Sequence, residues 1–286
     1  MQQSTSRGVS PHGIQWHFAA HDDTHHPRHD PFRALQRRFN HVLGQHPAIT
    51  HNAFLDKLEE GHSGLPSFLT AMTQQAIVWR QLVLVREHHA LILAEQHLYP
   101  ETRFEVLPVA VCFDAHGIPW CPPVPEGGLG DPYALSERLH EWWATWQRSF
   151  PALADRSYIL QQATPATLRL CEFLDRHYNA NDTDVALGTM VAIESTLSTD
   201  CWERLRQAGE RLCQKWGKPF PMSGFFITSE LHARLQARHA MHLLDLHSHE
   251  GQGSDDARVF DAIREGLTLL AEFEQAQASI LQPDMH

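Results

Sequence analysis

Cysteine is sparse in this chain. There are five, Cys112, Cys121, Cys171, Cys201 and Cys213, odd in number and scattered, with no Cys-x-x-Cys pair. Such usage gives no basis for a disulfide framework or a thiolate zinc site. Long apolar runs are missing too. No window approaches 18 consecutive apolar residues, so no transmembrane helix is expected. The opening MQQSTSRGVSPHGIQWHF has no apolar stretch of signal-peptide length, and the expectation is a soluble, cytoplasmic protein. Positive charge is in deficit: Lys plus Arg is 23 against 34 Asp plus Glu, a formal net charge of −11. That balance argues against non-specific nucleic-acid binding, which depends on basic residues displacing counterions.

What the chain has in excess is histidine, 22 residues of 286. Nine of them fall between His12 and His51. Residues 1–30, polar and interrupted by proline, read as a flexible His-rich segment. His21, His25, His26 and His29 lie there with no helical spacing to gather them on a metal. Hydrophobic residues make up 42% of the chain, enough for a sizeable core, and residues 31–286 read as one domain.

That domain reads as all-α, a bundle of about seven to eight helices. Phe32, Leu35, Phe39 and Leu43 recur at helical spacing after Asp30 and Pro31, a capping residue and a first-turn proline. A short helix is expected near 51–60, ending at Gly61, and a long one from Leu65 to about His97. Residues 104–125 break the pattern: FEVLPVAVCF, the turn-like DAHG and IPWC suggest a short hairpin or irregular excursion. Asp131 and Pro132 then open a helix to about Phe150. Further helices are expected at about 152–161, 165–178, 184–198, 200–215, 225–249 and 255–280.

Three of these helices carry acids and histidines at metal-ligand spacing. Glu137 and His140 are three apart and share a face. Glu194 sits in the apolar stretch MVAIESTL, where a carboxylate is costly unless it is paired or ligates a cation. His232, Gln236 and His239 fall at i, i+4 and i+7 of FFITSELHARLQARHAMH. Acids and imidazoles projecting inward from facing helices are how a bundle builds a carboxylate-rich iron or manganese site. Each residue also has a plainer reading, as a surface or capped side chain. The same holds for Glu87, His88, His89, Glu95 and His97, which read as a solvated helix face, and for His242, Asp245, His247 and His249, which read as an exposed helix end. Trp142, Trp143 and Trp146 read as core.

Together these residues resemble the haem-oxygenase-like dimetal oxidases and oxygenases, relatives of the TenA and PqqC folds that bind non-haem iron. The resemblance is best over about residues 125–250. The family's last core helix carries an aromatic pair and then His-x3-Asp-x2-His; here Phe225 and Phe226 precede His232, Gln236 and His239. ALGTMVAIEST is similar to the family's middle helix, whose Glu ligates metal. Glu137-x2-His140 resembles the subgroup containing an alkene-forming fatty-acid decarboxylase. The resemblance implies two Fe(II) ions, with Mn as a substitute. Glu137, His140 and His232 would hold one, and Glu194 with His239 the other, with weak help from Gln236. By spacing, Tyr133, seven residues before His140, shares its face and either hydrogen-bonds near the metal or packs at the helix start. The resemblance further implies an O2-dependent oxidation of a small amino-acid- or fatty-acid-derived substrate; the assembly is left open, a homodimer being the commonest kind. In one place the pattern differs: the family's Asp is Gln236 here, and a neutral amide is a poorer ligand than a carboxylate. A second reading stands beside the first, a degenerate or metal-free TenA/PqqC-like bundle that binds a small ligand without redox chemistry.

Overall fold

The structure, a computed structural model, describes residues 31–95, 112–113, 119–120, 163–178, 180, 182–197, 201–218, 220, 233, 237, 240–241, 243–244 and 256–281. The described residues are mostly helical. In chain order they form α1 (Pro31–Gln45), α2 (Pro47–Thr50), α3 (Ala53–Glu59), α4 (Leu65–Glu95), the strands β1 (Cys112–Phe113) and β2 (Pro119–Trp120), α5 (Pro165–Tyr178), α6 (Thr183–Leu197), α7 (Cys201–Lys215) and α8 (Asp256–Ile280). Residues 233, 237, 240, 241, 243 and 244 are also helical. None of these helices is long and apolar enough to cross a membrane. The expected hairpin is present as one antiparallel pair, with Cys112 opposite Trp120 and Phe113 opposite Pro119.

Local chemistry accounts for the helix boundaries. The first expected helix is present as α1, and a further short helix follows it: His46 Nδ1 accepts from the Ala48 amide at 3.2 Å while Pro47 opens α2. Burial holds the His46 pKa below its ordinary value, which keeps the ring neutral and Nδ1 free to accept. Asn52 caps α3, its Oδ1 accepting from Leu55 N–H at 2.9 Å. Gly61, at φ +70°, then turns the chain where a side chain would be strained. Asp182 caps α6 by accepting from Val185 N–H at 3.3 Å.

α8 is the hub. It packs against α2, α3, α4, α5 and α6, while α4 packs on α5 and α3 on α7. Every residue of α6 from Ala186 to Leu197 is buried, which explains why this helix is apolar all round rather than striped. Phe39, Phe54, Phe68, Phe173, Phe260 and Phe273 are fully enclosed in one continuous core. Ala233, Ala240, Met241, Leu243 and Leu244 belong to the same core, and Ala237 is buried as well.

Candidate functional site

Glu194 is the one expected ligand that lies within the described residues, and it has no solvent exposure at all. A charge in that position must be matched. The match is Arg86 of α4, itself 6% exposed. Arg86 Nε donates to Glu194 Oε1 at 2.7 Å and Nη2 donates to Oε2 at 2.5 Å, a bidentate fork on the carboxylate. Tyr178, the last residue of α5, adds its hydroxyl to Oε1 at 3.1 Å. Three helices thus meet on one carboxylate.

The electrostatics close the network further. Burial pulls the Arg86 pKa down, but the charge and hydrogen bonds of Glu194 outweigh it, and the net shift is upward. Tyr178 is held well above its ordinary 10, first by burial and then by the Glu194 charge, against an opposing pull from Arg86. Neither group exchanges a proton near neutral pH.

Arg86 and Tyr178 escape a reading by motif, although each leaves a trace in the sequence. Trp79, Leu82 and Arg86 share a helix face, so the arginine is a lone charge on a buried stripe. Leu170, Leu174 and Tyr178 repeat every four residues in the same way.

The other expected site residues, Tyr133, Glu137, His140, His232, Gln236 and His239, lie outside the described residues. So do His21, His25, His26, His29, His97, Trp142, Trp143, Trp146, His242, Asp245, His247 and His249; Glu87, His88, His89 and Glu95 lie in α4 at positions whose side chains are not described. In sequence, His232, Gln236 and His239 each directly precede a buried alanine, Ala233, Ala237 and Ala240. Among the described residues, no group of three His, Cys, Asp or Glu side chains is placed to hold a metal. A two-metal centre requires the Glu194 oxygens as ligands. Oε1 accepts from Arg86 and Tyr178 and Oε2 from Arg86, so a cation at Glu194 would sit beside a buried guanidinium. Of the expected donor set the described residues hold Glu194 alone, and it is engaged by Arg86 and Tyr178.

Cys171 and Cys213 are poorly suited to act as nucleophiles. Burial pushes Cys171 up to about 11, with the Glu172 charge adding to it, and burial pushes Cys213 up to about 12. Both stay thiols, and the thiolate is the nucleophile.

No protein-family model, curated protein or solved structure matches the chain.

A second buried acid lies in α8. Asn52 Oδ1 is committed to capping α3, so its Nδ2 faces outward from the cap and donates to Glu274 Oε1 at 2.6 Å. Glu274 is 5% exposed, and burial holds its pKa well above the ordinary 4.5, with Arg204 pulling down and Asp56 pushing up. Arg204 is itself engaged by Asp56 and Glu59 across the α3–α7 contact. The folded state therefore keeps a proton that the unfolded chain releases above pH 4.5. By linkage, this group's contribution is fully present below that value and is lost as pH rises toward the folded pKa. Glu274→Gln, which cannot ionise, should gain on the native protein steadily as pH is raised from 4.5 to 8. Urea midpoints of both proteins across that range check this; parallel curves would contradict it.

Proposed function

We propose that this chain is a cytoplasmic, haem-oxygenase-like oxidase or oxygenase that holds one non-haem iron rather than two. The iron would be held by Glu137, His140 and His232, with His239 as a further imidazole and Tyr133 beside them. Two histidines and a carboxylate are a sufficient ligand set for ferrous iron in an O2-using enzyme. When bound, the metal supplies the O2 chemistry, and the protein supplies position and a dry pocket. The substrate class carried by the resemblance is a small amino-acid- or fatty-acid-derived molecule.

One observation carries the step from two metals to one: the bidentate hold of Arg86 on Glu194. It occupies the only carboxylate assigned to the second ion, and Gln236 supplies an amide where the family has an acid. The fixed positive charge of Arg86 also makes the neighbourhood of Glu194 less favourable for a divalent cation. The same ion pair favours the second reading, a metal-free bundle that binds a small ligand, because Glu194 has no remaining need of a metal.

Metal analysis after anaerobic reconstitution with Fe(II) separates these readings. About one iron per chain, lost in His232→Ala, is the expected result. Two irons per chain would restore the dimetal reading, with Glu194 released by Arg86. None would leave the metal-free bundle.

A further inference from the structure

A small internal cavity of about 30 Å³ lies between α3, α4, α5, α6, α7 and α8, and it is separate from the Arg86–Glu194 pair. The two are stacked. Leu82 on α4 and Leu174 on α5 line the cavity, and each lies one turn before Arg86 and Tyr178. Most of the wall is apolar, with Trp79, Trp202 and Phe273 prominent, and three polar residues, Asn52, Gln75 and Glu274, complete it.

Glu274 is the informative member. Its Oε1 accepts from Asn52, and its Oε2 is buried with no hydrogen-bond partner among the described residues. Cavities that stay dry are lined by apolar groups alone, whereas a buried carboxyl without a partner costs about 1–3 kcal/mol. A water needs roughly 10–15 Å³ of this kind of space, so the volume accepts about two waters or one short organic molecule.

We infer that this cavity is a binding site for a small uncharged hydroxylic guest, water or a short alcohol, held by Glu274 Oε2. The Oε1 atom accepts from Asn52, which places the acid's hydroxyl on Oε2 as a donor to the guest oxygen. Gln75 offers a further polar contact. An alcohol would set its alkyl end against the indoles of Trp79 and Trp202. Anions are disfavoured, because no cationic side chain among the described residues lines the wall. The site does not depend on iron and stands or falls apart from the oxidase reading.

Two measurements on the full chain test it. Oxygen-17 relaxation dispersion counts long-lived internal waters, and Val78→Leu, which enlarges a wall residue into the cavity, should remove about one or two of them. Infrared spectra at neutral pH should show a neutral-carboxyl stretch that disappears in Glu274→Gln. If added methanol moves that band saturably, alcohol is accepted as a guest. If the band stays still while Val78→Leu loses water, the guest is water alone. Equal water counts in the native protein and Val78→Leu, with no saturable response to methanol, would overturn the site, as would absence of the neutral-carboxyl band from the native protein.

Discussion

Replacing Arg86 with Met should destabilise the protein by about 3–5 kcal/mol, because the change strands a fully buried carboxylate without its partner. The loss has little to do with packing, since Met fills much of the same volume. It comes from Glu194, which is 0% exposed and would keep only the Tyr178 hydroxyl out of its three donated hydrogen bonds. The double variant Arg86→Met, Glu194→Met should recover most of the stability, because replacing both members of a buried pair by apolar residues of similar volume is often neutral or better. Urea unfolding of the two singles and the double forms the test. Additive losses would mean that the pair is not coupled and that the guanidinium does not neutralise Glu194.

Phe173→Ala should cost a comparable amount, about 3–5 kcal/mol, through the cavity it opens. Phe173 is fully buried, stacks on His177 at 4.1 Å between ring centroids, and packs against α8 at Gly266. A Cβ at Gly266 would meet the Phe173 ring at 2.7 Å. The close approach of α5 and α8 therefore requires a large residue on one helix and no side chain on the other. Gly266→Ala alone should destabilise by about 1–3 kcal/mol through overpacking. In a Phe173→Ala background the same change should be harmless or helpful, since Ala is favoured over Gly within a helix by about 1 kcal/mol. Equal effects of Gly266→Ala in both backgrounds would show that the contact does not exist in solution.

Much of the fold is legible in the sequence because its causes are local. Asp182 before an apolar run marks the start of α6, Gly61 marks the end of α3, and the turn-like sequence DAHG separates the segments that pair as β1 and β2. The short helix α2 after His46 is not legible in that way. It depends on an imidazole accepting from the backbone two residues on, which periodicity does not report. The candidate site divides along the same line. A carboxylate within MVAIESTL states a demand for a positive partner, but the partner is 108 residues away in the chain. Arg86 lies directly before Glu87, His88 and His89, and those residues draw attention as a metal-like cluster. Glu274 sits in AEFEQAQ, where acids two apart look like a solvated face. Its burial is decided by Asn52, whose cap geometry aims the amide at α8. Where pairing depends on tertiary geometry, the sequence shows that a partner is needed without showing which residue provides it.

The position of α8 as hub has a consequence for how the protein is made. Asn52 and Glu274 are separated by 222 residues. At synthesis rates of about 5–20 residues per second, that gap is 222/20 to 222/5, or about 11–44 s on the ribosome. Over that interval α3, and later α5 and α6, emerge before the helix that covers their apolar faces exists. Final assembly is therefore a late and largely non-local event, and a nascent chain stalled before residue 256 would present the ribosome and its chaperones with an uncovered core.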